Sequence, residues 1–123
     1  DYRYAEGKWS IKEVLQHIID TERVFNYRAL CFARKEPQAL PSFDEKSYAL
    51  YSNANNRKWK SLIEEFAAVR KSTEYLYKSF PEEVLDLVGK TNKYSISVLT
   101  LGFLTVGHLN HHIRIIQERY IGV

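Results

Sequence analysis

The chain has 123 residues, of which 45 % are hydrophobic and 14 % aromatic, and a net charge of +3. That length and composition suit a single domain over 1–123 with a packed core, and exclude an intrinsically disordered chain. Lys and Arg are scattered among acids with no long run, and no apolar stretch reaches membrane-spanning length, so neither nucleic acid nor a membrane is an expected partner. The chain opens on Asp1 and contains no Met, and the expectation is that an N-terminal piece is missing from it.

Ser10 followed by Glu13 is a capping box, and Ile11, Val14, Leu15, Ile18, Phe25 and Ala29 recur at helical spacing. A first helix is predicted from about Ser10 to about Ala33, ending by Glu36-Pro37. Cys31, the single cysteine, excludes an internal disulfide, fits a reducing cytoplasm, and reads as a small apolar core residue on this helix or, alternatively, as a reactive thiol. Residues from about Lys35 to Asn53 carry turn chemistry in Pro37, Pro41, Ser42, Asp44, Ser52 and Asn53. A short helical turn fits around Glu45 to Leu50. A loop this long that keeps Phe43, Tyr48 and Tyr51 is an expected functional element.

A second long helix is predicted from about Asn55 to Ser79 on the stripe Trp59, Leu62, Ile63, Phe66, Val69, Thr73, Leu76 and Phe80. Pro81 marks its stop, or opens a short Pro81–Asp86 turn as its first residue. Gly89 to Tyr94 reads as a polar turn, and nothing alternates long enough to argue for a sheet. The third long helix is predicted from about Ser97 to Tyr120. Three long helices with unequal connections indicate an all-α bundle, one helix short of four.

On a wheel of about 100° per residue, Leu101, Thr105, Leu109, His112 and Ile116 share one arc with His108 beside them, while His111 and Asn110 point away. Two imidazoles four residues apart on one face can converge on one ion. Each also needs desolvation and hydrogen-bond partners if it is simply buried, and an HxxxH pattern alone leaves both readings open. His17, at the margin of the first helix's apolar arc, adds a third imidazole from a facing helix. Three histidines with open positions describe a catalytic rather than a closed structural site.

Glu22 falls near the centre of the first helix's apolar arc. It reads as a ligand, an orienter of a ligand histidine or a general base, or else as the acid of a buried ion pair with Arg57, Arg70 or Arg114. Asp20, one turn from His17, stands where it can accept a histidine N–H, or is a solvated residue.

Gly7-Lys8-Trp9-Ser10-Ile11-Lys12-Glu13-Val14, then His17, Asp20, Glu22-Arg23 and Tyr27-Arg28-Ala29-Leu30, resembles the first recognisable block of the DinB-like superfamily. Within it, the sequence looks closest to the bacillithiol-transferase-like branch of metal-dependent hydrolases. Leu40-Pro41-Ser42-Phe43-Asp44 with Tyr48 looks like that branch's loop, and Gly107-His108 with His111-His112-Ile113-Arg114-Ile115 like its closing helix. The resemblance implies an up-down four-helix bundle whose first helix is missing here. It also implies a divalent metal (zinc, nickel or iron) on His17, His108 and His112.

From the resemblance and their loop positions, Asp44, Tyr48 and Arg57 are candidate substrate contacts, with surface or loop-anchoring roles as the alternative. Similar sequences often carry Glu directly after the first histidine of the closing pair; here it is Leu109. The expected function is a metal-dependent thiol S-transferase or hydrolase acting on a small molecule, such as a low-molecular-weight thiol. The alternatives are a non-catalytic stress-related binding protein and a dimeric helical interaction module, its homodimer interface drawn from Tyr2, Tyr4, Trp59, Tyr75 and Tyr77.

Overall fold

Ser10 starts the first helix as its capping box predicts. Its Oγ accepts from the Glu13 amide at 3.2 Å, and the Glu13 carboxylate accepts from the Ser10 amide at 2.9 Å. The computed structural model describes residues 7–121. Helix α1, Ile11–Ala33, ends with Lys35 in the left-handed region at φ 62°. The Glu36 amide donates to the Cys31 carbonyl and the Lys35 amide to the Phe32 carbonyl, which closes the last turn as a Schellman motif without its usual glycine.

The connection then forms α2, Glu45–Leu50, capped by Asp44, where a short helical turn was expected. The second long helix starts later than its pattern implies. Ala54–Asn56 is a separate 3-10 turn and α3 is Trp59–Lys78. Tertiary contacts make the break: Arg57 is extended, its guanidinium donates to Gln16 Oε1 at 2.7 Å, and its carbonyl accepts from Lys12 Nζ at 2.6 Å. Pro81 is the residue before α4, Glu82–Leu85, with ψ 158°, rather than its first helical residue.

The stretch read as a polar turn belongs to a β-hairpin. Strands β1, Val88–Lys90, and β2, Ser95–Ser97, pair antiparallel. Three residues per strand are too few to show period-two alternation. Leu40 extends the pairing: its amide donates to the Lys90 carbonyl and its carbonyl accepts from the Asn92 amide, each at 2.9 Å. Gly89 is required here, because a Cβ on it would sit 1.8 Å from Phe32 Cδ1. Ser97 caps α5, Val98–Ile115, and the chain continues as a wider π-helical turn over Ile116–Ile121.

Helix α1 is the centre of the packing, against α3 on one side and α5 on the other. Ile19 meets Leu62 and Val69 on the α3 side. Phe25, Ala29 and Phe32 meet Val98, Leu101, Leu40 and Phe80 on the α5 side. Cys31 is a half-buried free thiol packed on that second cluster. Of the tyrosines and tryptophan expected at an interface, Trp59 and Tyr75 are exposed, and Tyr2 and Tyr4 lie outside the described residues. Tyr77 is half-buried: its hydroxyl donates to the Val98 carbonyl at 3.0 Å and its ring meets Phe80. No described helix is long and apolar enough to cross a membrane.

Candidate metal centre

Because α1 is buried on two sides, a polar residue on it must find a partner inside the protein. His17 is 4 % exposed, and it faces His108 and His112 on successive turns of α5. The His17 and His108 Nε2 atoms are 3.0 Å apart. The ring centroids are separated by 4.8 Å for His17–His108 and His17–His112, and by 4.5 Å for His108–His112. One nitrogen from each ring lies within 4.8 Å of the others. A tetrahedral ion bonded at 2.0–2.1 Å holds its ligand nitrogens about 3.4 Å apart, so small side-chain shifts close the set around one point.

Several neighbours fix these rings. The Trp9 indole covers His17 at a centroid distance of 4.8 Å, and the Tyr120 hydroxyl on the π-helical turn donates to the Trp9 carbonyl. Thr21 Oγ1 is 3.4 Å from His17 Nδ1. Phe25 stands 6.2 Å from His108, edge to face. His111 is exposed, with its ring 5.0 Å from His112.

The electrostatics fit a donor set for a cation. Burial, followed by the two neighbouring imidazoles, lowers the His17 pKa to about 3. Burial, then His108 and His111, lowers that of His112 to about 4. His108 is pushed down by burial and then by His111. All three rings are therefore neutral at pH 7, with lone pairs to offer. His112 Nδ1 is buried and has no hydrogen-bond partner, an orphan that a coordinated ion would satisfy.

The other sequence-derived candidates lie elsewhere. The Glu22 carboxylate, 3 % exposed, faces α3. It accepts from Arg70 at 3.0 Å and from the Thr73 hydroxyl, so of the three arginines considered, Arg70 is its partner. Asp20 accepts from Gln16 Nε2 at 2.9 Å; Thr21, rather than Asp20, stands beside His17 Nδ1. Asp44 accepts from the Lys46 and Ser47 amides as the α2 cap. Arg57 is tied to Gln16, Glu65 and Ser61. Tyr48 is exposed and stacks edge to face on Phe43 at 5.1 Å.

Two cavities reach the histidines, and Asp44, Tyr48 and Arg57 line neither. One of about 550 Å3 opens at His112 beside Trp9 and Tyr120. One of about 210 Å3 opens at His108 and is lined by Thr21, Phe25, Arg28 and Tyr94. Trp9, Thr21, Arg28 and Tyr94 were not singled out as site residues from sequence. Arg28 carried a signal, since it falls on the same apolar stripe as Phe25 and Phe32. Tyr94 carried none, because the hairpin that presents it was not legible.

A comparison with curated proteins finds no match. Among solved structures, the chain superposes on YfiT from Bacillus subtilis with a TM-score of 0.80 and 19 % identity, covering 96 % of this chain and 69 % of that one. YfiT is described as a probable metal-dependent hydrolase with an unusual four-helix bundle topology, and the likeness establishes the same fold here. The sequence itself matches the DinB superfamily over residues 1–116, and with nearly the whole chain covered, this protein belongs to the DinB superfamily.

Proposed function

We propose that the protein is a metal-dependent enzyme, a hydrolase or thiol S-transferase, in which His17, His108 and His112 hold a divalent zinc, nickel or iron ion. The observation that carries this reading is the meeting of three neutral imidazoles from two helices, one of them with a buried nitrogen lacking any partner. An ion held by neutral ligands keeps its full positive charge and lowers the pKa of a water or thiol bound to it. The chain's own residues do the rest. Burial keeps the rings deprotonated, Trp9 shields His17 from solvent, and Thr21 Oγ1 stands 3.4 Å from His17 Nδ1, where it would accept an Nδ1–H in the tautomer that offers Nε2 to the ion. The cavities at His108 and His112 give a small molecule access to the open side of the triad.

Elemental analysis of protein purified without a histidine tag tests the reading. One equivalent of a divalent ion is expected, falling to background in His112→Ala. Metal content that stays the same in that variant would remove the site.

A further inference from the structure

Arg28 is a charge that the fold buries without cancelling. It is 5 % exposed, yet its hydrogen-bond partners are neutral: the Tyr94 hydroxyl at 3.0 Å and the Pro41 carbonyl at 3.2 Å. The guanidinium lies over the rings of Phe25 and Phe43, at 5.8 and 5.9 Å from their centroids. The other arginines of α1 and α3 have acids: Arg70 has Glu22, and Arg23 has Glu65, which Arg57, just before α3, shares. Among the described residues no carboxylate pairs with Arg28. Burying an unpaired cation is costly, and a guanidinium offers five donors in a planar fork, of which two are used here.

Arg28 lines the 210 Å3 cavity that ends at His108. Eleven residues of helix return to within about 20° of the same face, and long side chains lean toward the helix N-terminus. Arg28 thus shares a face of α1 with His17 and lines one cavity with His108, and the Phe25 ring centroid lies 5.8 Å from its guanidinium and 6.2 Å from the His108 ring. Four segments enclose the space: α1, the Ser42–Glu45 segment, the hairpin tip with Thr91, Lys93 and Tyr94, and α5 with His108. Thr91 Oγ1 accepts from the Lys93 and Tyr94 amides, which fixes the tip.

We propose that this cavity is an anion subsite and that the molecule bound at the neighbouring centre carries a carboxylate that docks on Arg28, with Lys93 at the mouth. The second half rests on the metal reading above; the anion subsite does not. A planar monoanion fits better than a phosphate dianion, because the guanidinium fork matches a carboxylate and Glu45 adds one opposing charge at the rim. The volume falls below the 300–1,000 Å3 typical of pockets enclosing drug-sized ligands, which suits a short acid arm rather than a whole large ligand.

Cobalt(II)-loaded protein titrated with mercapto acids of two to four carbons, each against its neutral amide, tests the proposal through the thiolate charge-transfer band. The best acid is expected to bind at least about tenfold more tightly than its amide, as for a hydrogen-bonded ion pair. That preference should disappear in Arg28→Met and shrink in Arg28→Lys. Two exposed positions avoid any question of folding: Lys93→Gln should lower the preference about twofold and Glu45→Gln should raise it similarly.

Equal binding of acid and amide, or an acid preference untouched by all four substitutions, overturns the subsite. If no cobalt spectrum develops, the metal reading fails separately. The subsite is then read on metal-free protein by NMR, propionate against propionamide; shifts at the Thr91 and Tyr94 amides with propionate alone support it, and identical responses overturn it.

Discussion

The two seams of α1 bury polar groups in opposite ways. Toward α3, Glu22 meets Arg70 and Thr73, and Gln16 meets Arg57, itself paired with Glu65. Each of these charges has its counter-charge within the protein. Toward α5, three neutral imidazoles crowd together, His112 Nδ1 has no partner, and Arg28 has no acid. Asn26, bonded to Thr73 on the α3 seam, also leaves its Oδ1 without a partner, so the difference lies in the charge: a cancelled pair holds helices together, whereas an uncancelled cation is left for a ligand to complete. That contrast is the reason the proposed site is placed on the α5 seam.

The sharpest way to break that contrast is a crossed pair of substitutions. Glu22→Ala should destabilise the protein by about 3 kcal/mol, the low end for a broken buried pair, because Arg70 retains some access to solvent. Its metal content should stay at one equivalent. His112→Ala should show the reverse: metal lost and the metal-free fold little changed in urea denaturation. If Glu22→Ala instead lost the ion while keeping its stability, the α3 seam would be part of the centre.

The hairpin joins the α5 seam to the loop, and it was the element least legible in the sequence. Helix periodicity and the Ser10 box were readable because their partners lie within one turn. The pairing of His108 with His112, one turn apart, was readable for the same reason, whereas His17, on another helix, was added from the margin of its own stripe and from the family resemblance. The hairpin depends on Leu40 pairing beside it and on Phe32 packing over Gly89, contacts from other elements that no local pattern encodes. Arg28 was visible as a cation on an apolar stripe, but a residue that snorkels to solvent looks the same in sequence. The α3 boundary was missed because Arg57 gives up helical geometry for bonds to Gln16 and Glu65. Gly89→Ala should therefore cost about 2–3 kcal/mol through the clash with the buried Phe32 ring, seen as a lower urea midpoint. A midpoint within error of the parent would mean that the hairpin does not pack on α1.

Acid should separate the seams as well. His17 and His112 keep pKa values of about 3 and about 4 in the folded metal-free protein, below the ordinary 6.5. The unfolded chain thus binds protons that the folded one does not between pH 6.5 and about 4, and stability must fall as pH falls through that window. The slope is about 1.4 kcal/mol per pH unit for each such histidine. Urea unfolding of metal-free protein across this range should show it, and the His17→Gln, His112→Gln double variant should flatten it. An unchanged slope in that variant would assign the acid sensitivity to other groups.

The smallest expected effect compares two threonines, Thr21 of α1 at one seam and Thr73 of α3 at the other. Thr21 stands 3.4 Å from His17 Nδ1, and Thr73 donates to Glu22. Replacing each by valine removes a hydroxyl with little change of shape. At Thr21 the loss falls on the orientation of a ligand ring, and removing such a partner weakens metal binding about tenfold, the low end for groups that orient ligands. The metal-free protein should be no less stable, because a methyl replaces a weakly bonded hydroxyl in a buried position. At Thr73 the loss falls on the ion pair, so stability should drop by about 1 kcal/mol, the worth of one hydrogen bond, with metal affinity unchanged. Competition with a chromophoric chelator and urea titration read the two quantities on the same samples. If Thr21→Val bound metal as tightly as the parent, the His17 tautomer would be set by the ion and the other rings alone, and Thr21 would count only as packing.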